Sequence, residues 1–173
     1  MGRNAPLSAT GMDIIRLGAG DAERYVALRK TILESEAANF RSSKEDNDRI
    51  ALSAWQERLA HDHVFVARQV DAWLAVGGLT RMTGGKLDHK GLVWGMYVSP
   101  AARGNGAAGQ ILHHLEHAAR TLGLRLLQLT VMADNLRARR LYERYGFELY
   151  GIEPESVRRE DGFADEALMW KRL

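Results

Sequence analysis

The chain has 173 residues and a mass of 19.3 kDa, with 46% hydrophobic and 27% charged residues, a formal net charge of +2 and no cysteine. This is the size and composition of a soluble globular chain that builds its core without covalent staples. The absence of thiols excludes disulfides, thiolate metal sites and a cysteine nucleophile, the weak charge speaks against a nucleic-acid partner, and no apolar run approaches the roughly 20 residues of a membrane span.

Residues 1–11 are small and polar, without the apolar stretch of a signal peptide, and are expected to be a flexible leader. Residues 12–173 are expected to form a single domain in the cytoplasm. Met12 to Leu17 predicts a short strand. Tyr25, Leu28, Ile32 and Leu33 recur at helical spacing behind Asp21, a good N-cap, and predict a helix to about Glu36. Residues 37–44 read as a loop, and Ile50, Ala54, Trp55 and Leu59 as the stripe of a helix over about 45–60. The apolar runs 63–70 and 73–82 flank Asp71-Ala72, a hairpin spacing. A longer turn leads to a strand over 92–98, which Pro100 ends. A helix to about Leu122, a strand over 124–131, a helix over 135–145 and strands near 147–152 and 164–172 complete the order β-α-α-β-β-β-α-β-α-β-β. Antiparallel first and crossing over later, this order predicts an α/β fold with a mixed, mostly antiparallel sheet of about seven strands and helices on both faces. Trp55, Trp73, Trp94 and Trp170 read as core.

Between the 92–98 strand and the next helix lies Arg103-Gly-Asn-Gly-Ala-Ala-Gly109, and Ile111, Leu112, Leu115, Ala119 and Leu122 mark that helix's apolar stripe. A glycine-rich turn at a helix N-terminus offers free N–H groups and the positive dipole end to a phosphate. Gly104-x-Gly106-x-x-Gly109 also fits a dinucleotide fingerprint, with Asp134 as the ribose acid. Against that, Ser99 to Arg103 separate the loop from its strand and only 64 residues follow Gly109, few for a doubly wound sheet. A third reading makes the glycines mere helix caps.

Arg103-x-x-Gly106-x-Ala108 and, one helix and one strand later, Asn135-x-x-Ala138-x-x-Leu141-Tyr142-x-x-x-Gly146-Phe147 resemble the two signature segments of the GNAT superfamily of N-acetyltransferases. Residues 28–40 and 165–169 are similar more weakly. The resemblance implies acetyl-CoA as cosubstrate, no metal, and a sheet splayed between its fourth and fifth strands. It implies that Arg103, Gly104, Asn105, Gly106, Ala107 and Ala108 wrap the pyrophosphate, that the backbone of Met96, Tyr97 and Val98 pairs with the pantetheine arm, and that the Val98 N–H is the oxyanion donor. Asn135 would hold the cofactor, cap its helix, or do both. Tyr142 would protonate the departing thiolate, with Tyr145 a structural neighbour. Gly95 fits either a bulge or a gap for a neighbour such as Trp94.

The expected reaction is direct attack by a primary amine of a small molecule or peptide, since no activated nucleophile is present. The strand over 92–98 carries no carboxylate, so the general base stays unassigned; Glu34, Glu36 and Glu153 are the candidates. A catalytically silent coenzyme A sensor is the alternative of another class. A homodimer is common among such proteins. His113, His114 and His117 crowd one helix without a supporting third ligand and read as solvated.

Overall fold

The structure, a computed structural model, describes residues 11–173; the expected leader, apart from Gly11, lies outside the described residues. Seven strands form one sheet: β1 (Asp13–Arg16), β2 (His63–Gln69), β3 (Ala72–Arg81), β4 (Lys90–Val98), β5 (Leu126–Met132), β6 (Glu148–Arg159) and β7 (Gly162–Arg172). Their order is β1-β2-β3-β4-β5-β7-β6, and β4 with β5 is the parallel pair. The helices are α1 (Ala22–Ser35), α2 (Lys44–Asp48), α3 (Leu52–His61), α4 (Ala107–Thr121) and α5 (Leu136–Arg144). Among the described residues no helix is long and apolar enough to cross a membrane.

The strand period of two divides the core between two faces. Val64, Val66 and Val76 pack with Tyr25, Ile32, Trp55 and Leu59 of α1 and α3. Ala67, Leu79, Leu127 and Leu129 pack with Ile111, Leu115 and Tyr142 of α4 and α5. With helices on both faces, the central strands read as nearly continuous apolar runs.

The sheet parts at its middle. β4 and β5 are in register only from Lys90↔Leu126 to Leu92↔Gln128. Beyond Leu92, β4 stays with β3 while β5 stays with β7. A bulge turns β4 away: between the pairs Val76↔Tyr97 and Gly78↔Trp94, the single residue Gly77 faces both Gly95 and Met96. Gly95 takes φ +64, a conformation that penalises any side chain. The space for the Trp94 ring comes instead from Gly78, where a Cβ would stand 2.5 Å from that ring.

Two expectations are corrected. The helix over 45–60 is two, α2 and α3, because the chain is extended at Ala51 (ψ 146), which caps α3. The strand expected near 147–152 is longer: β6 runs on to Arg159, pairing Val157 with Ala164 past a register shift that holds Pro154 on an edge strand. The tryptophans face inward to different degrees: Trp55 is fully buried, Trp73 and Trp94 pack half-buried against its cluster, and Trp170 is half-buried.

A Cβ on Gly95 would meet nothing closer than Arg29 Nη1 at 3.8 Å, so its cost is the backbone conformation and not a clash. Gly95→Ala should therefore destabilise the protein by about 1–2 kcal/mol in denaturant unfolding. Gly20→Ala, where a Cβ meets nothing within 4 Å, is the control and should change stability far less.

Candidate active site

Where β4 leaves β5, a cleft of about 770 Å³ opens, lined by Leu92 to Val98 on one side and Thr130 and Val131 on the other. Antiparallel pairs alternate between bonded and unbonded. Ser99 N–H donates to the Leu74 carbonyl at 2.8 Å, so Leu74 and Ser99 are a bonded pair and the next, Ala75↔Val98, is unbonded. The Val98 N–H and C=O therefore point away from β3 into the splay. The carbonyl's direction agrees, since it accepts from Arg103 Nε at 3.3 Å. By the same alternation the Tyr97 backbone is turned to β3, so the expected run of three edge residues reduces at Tyr97 to a side chain on the cleft wall. Met96 Sδ fills the space opposite Gly77 toward Ile111.

The glycine loop stands at the mouth of this gap. Gly104 (φ +82) and Gly106 (φ +89) turn the chain into α4, with Gly106 as its left-handed N-cap, and a Cβ at either would meet nothing within 4 Å. The surface is bare because no side chain stands over it. Gln110 N–H bonds to the Gly106 carbonyl at 3.1 Å, which leaves the N–H groups of residues 107–109 outside the helical ladder. That of Ala107 donates to Asn105 Oδ1 at 3.1 Å, while Asn105 Nδ2 lies 3.9 Å from Met12 Sδ. Gly104, Gly106, Ala107 and Ala108 line the cleft. Asn105 does not, because its amide is spent bracing the turn.

Arg103 crosses the cleft mouth to an ion pair with Glu36. Glu36 also accepts from Asn39 Nδ2 at 2.8 Å. Burial would raise the Glu36 carboxyl, but the Arg103 hydrogen bond and charge, with the Asn39 amide, outweigh it and hold the group below its ordinary 4.5. Asn135 caps α5, accepting from Ala138 N–H at 3.1 Å, and its Nδ2 donates to Asn39 Oδ1 at 3.1 Å. The cap is formed, and the same side chain reaches across the cleft.

Tyr142 is 7% exposed, lines the cleft and packs edge-on against Phe147 at 5.8 Å between centroids. Among the described residues its hydroxyl makes no hydrogen bond, and burial pushes the phenol well above its ordinary value. Tyr145 is tied to α4 instead: its hydroxyl occupies the space a Cβ on Gly109 would need, and its ring meets His113 at 5.3 Å.

The far half of the cleft holds residues the sequence reading passed over. Glu166 on β7 is 2% exposed, bonded to Arg41 and accepting from Ser156 Oγ at 2.6 Å. Burial would raise its carboxyl; hydrogen bonds from Arg41 and Ser156, with the Arg41 charge, bring it below its ordinary value. Arg41 also holds Glu153 at 3.1 Å. Trp94 donates to Thr80 Oγ1 at 2.8 Å and carries the Arg58 guanidinium 4.0 Å above its ring. Of the three acids considered as base, Glu36 and Glu153 are bound to arginines, and Glu34 is exposed and off the cleft wall. The signal that could have found Glu166 was the acid pair Asp165-Glu166 in the otherwise apolar β7 run Ala164 to Trp170, since strand alternation turns one of two neighbours inward.

A sheet parted at its parallel pair, a bare glycine loop at the mouth of the gap and a buried phenol across it define a cleft of the acyltransferase type. The chain belongs to the Acetyltransferase (GNAT) family, whose sequence profile matches residues 29–147. A stretch of 46 residues is 52% identical to the uncharacterized N-acetyltransferase YycN of Bacillus subtilis, spanning 27% of this chain and 30% of that protein. A GNAT-family acetyltransferase from Streptococcus pneumoniae superposes with a TM-score of 0.80 at 23% identity, covering 94% of this chain and 99% of that one. The yncA putative acetyltransferase of Salmonella typhimurium, solved with acetyl-CoA, gives 0.80 at 18% identity over 95% of each chain. A ribosomal-protein-alanine N-acetyltransferase from Brucella melitensis gives 0.78 at 20% identity, covering 93% of this chain and 99% of that one. At these identities the superpositions establish the fold.

The Glu36–Arg103 pair is half-buried, with side-chain exposures of 18% and 31%. Folding lowers the Glu36 pKa, so the pair's contribution is fully present above 4.5 and is lost as pH falls through the depressed folded value. Glu36→Gln should lower the melting temperature at pH 7 by about 2–4 °C, for a contribution near 1 kcal/mol. The difference from the parent should shrink as scans are taken below pH 4.5.

Proposed function

We propose that the protein transfers the acetyl group of acetyl-CoA to a primary amine of a small molecule or peptide by direct attack within a ternary complex. The observation that carries this reading is the splay itself: β4 leaves β5 with the Val98 N–H and C=O turned into the gap, between a bare helix N-terminus and the Tyr142 phenol. The residues present suit the cosubstrate. An extended polyamide arm can pair with the free edge of β4 at Val98, and the pyrophosphate suits the N–H groups at the start of α4, with Arg103 released from Glu36 to reach it.

On this reading the Val98 N–H polarises the thioester carbonyl and stabilises the charge that develops on its oxygen. The amine nitrogen attacks that carbon, the C–S bond breaks, and the Tyr142 hydroxyl gives its proton to the leaving thiolate sulfur. The phenol's raised pKa keeps it protonated at neutral pH, and the same dry surroundings raise the proton affinity of the thiolate. The amine must shed a proton to water, since the carboxylates on the cleft wall, Glu36 and Glu166, are bound to arginines.

Two measurements test the reading. Gly106→Asp places a carboxylate where the anion should sit. Calorimetry should show coenzyme A affinity falling by tenfold or more, about 1.4 kcal/mol or above, in a folded variant; unchanged affinity would move the pyrophosphate elsewhere.

Tyr142→Phe keeps the ring against Phe147 and removes only the hydroxyl. Thiol release with a good amine should fall about 10²–10⁴-fold, while coenzyme A affinity and melting temperature stay near the parent's. A larger loss at Tyr145→Phe would reassign the proton donor. Coenzyme A binding without thiol release from any amine would favour the silent sensor.

A further inference from the structure

Six arginines line the cleft, and three of them are neutralised: Arg41 by Glu153 and Glu166, Arg58 by Asp62, Arg103 by Glu36. Arg137 and Arg144 belong to α5, on the side of the glycine loop. Arg29, on α1 across the gap, forms no ion pair among the described residues. It is nevertheless firmly placed. Its Nε donates to Asn47 Oδ1 at 2.9 Å, and Asn47 is 2% exposed. Its guanidinium lies 4.9 Å from the ring centroid of the buried Trp55 and 5.9 Å from that of Tyr25. Its Nη1 stands at the β4 bulge, 3.8 Å from where a Cβ on Gly95 would be, and the residue lines the cleft. A guanidinium stacked and braced in this way, without a carboxylate of its own, is preorganised for a planar anion.

We infer that the acceptor amine carries a carboxylate or similar anion a short distance from its nitrogen, as a free amino acid does, and that Arg29 binds that anion. The inference rests on the acetyl-transfer reading, which sets the reacting carbonyl at Val98. Gly95 and Val98 are three residues apart, roughly 10 Å of strand and less across a bulge. An anion on Arg29 and an amine at the carbonyl would both lie between these two points, so only a short spacer can separate them. That separation suits an α- or β-amino acid. A protein lysine, a polyamine or a long peptide presents no anion at that distance.

The test compares amines in matched pairs, each amino acid against its own primary amide, by thiol release from acetyl-CoA. The amide is the weaker base and has more free amine at neutral pH, so a preference for the acid cannot come from the nucleophile. The parent should favour the acid by about 10- to 100-fold in kcat/KM, the worth of a hydrogen bond to a charged partner. In Arg29→Gln the ratio should fall toward one, and in Arg29→Lys, which keeps the charge without the planar fork, it should fall several-fold. A ratio near one in the parent overturns the inference. So does an unchanged ratio in either variant, which would leave Arg29 as a cover for Trp55 whose loss appears only in melting temperature. Arg29→Lys decides the matter if Arg29→Gln does not fold. If no amine supports thiol release, the transfer reading itself fails. Calorimetry of an N-acetyl-amino acid with coenzyme A present then decides: parent binding that Arg29→Gln loses supports the anion site, and no parent binding, or binding that the variant keeps, overturns it.

Discussion

The rest of the site depends on one strand leaving one partner while keeping the other. Backbone N–H and C=O groups inside a protein must be paired or must face water or a ligand, so parting β4 from β5 in mid-sheet carries a cost that a fully zipped sheet would not. Two features make the opening tolerable. The bulge at Gly95 concentrates the change of direction in one residue that accepts φ +64, so β4 resumes regular pairing with β3 at Val76↔Tyr97. Beyond the splay β5 is secured by β7 over its full length, from Leu126↔Arg172 to Met132↔Glu166. The long β6–β7 hairpin is therefore part of the site's foundation, because it lets β5 dispense with β4.

Across the opening one short segment reaches from the first half of the sheet to the second. Residues 36–41 follow α1 and send Glu36 to Arg103 of the glycine loop, Asn39 to Asn135 at the cap of α5, and Arg41 to Glu166 and Glu153 on the hairpin. Arg159 adds a hydrogen bond to the Ala38 carbonyl at 3.1 Å. Exposed ion pairs are worth little individually, but here each joins this segment to an element on the other side of a cleft. On the proposed reading, an anion that draws Arg103 away would take from Glu36 its ion-pair partner and from this segment one of its ties. The two halves of the site therefore share a mechanical element.

Much of this was legible in the sequence, and the part that was not has a physical reason. Strand and helix order followed from apolar period most plainly where an element buries a clear stripe, as β2, β3, β5 and α4 do. The glycine loop and the Asn135–Phe147 segment were readable because local backbone chemistry dictates them: a left-handed N-cap at Gly106 and a side-chain cap at Asn135. What escaped were pairings between residues far apart in the chain. Arg41 and Glu166 stand 125 positions apart, and neither has a local pattern that announces the other. Asn105 sits inside the family motif, yet its amide turns inward to brace Ala107, a choice made by a hydrogen bond that residue type alone does not reveal. The extension of β6 was hidden by Glu153, Pro154 and Glu155, polar residues that an edge strand tolerates and a central one would not.

The same long-range pairings bear on the proton that the acceptor amine must lose. A general base works best with a pKa near the working pH, and burial alone would move Glu36 and Glu166 in that direction. In both, bonding to an arginine reverses the effect and holds the carboxyl below its ordinary value. These carboxylates are ionised but weakly basic, and their lone pairs are engaged by guanidinium, amide or hydroxyl donors. Their arrangement places walls and charges; it does not collect protons. Without a carboxylate on β4 itself, the proposed acceptor amine is best supplied already neutral, which the α-amino group of a peptide, with a pKa of about 7.7–8.0, reaches at neutral pH far more readily than a lysine near 10.4. A carboxylate beside an amine raises its pKa, and pairing that carboxylate with the Arg29 guanidinium would remove the effect, so an anion site at Arg29 would also ease the loss of the amine's proton.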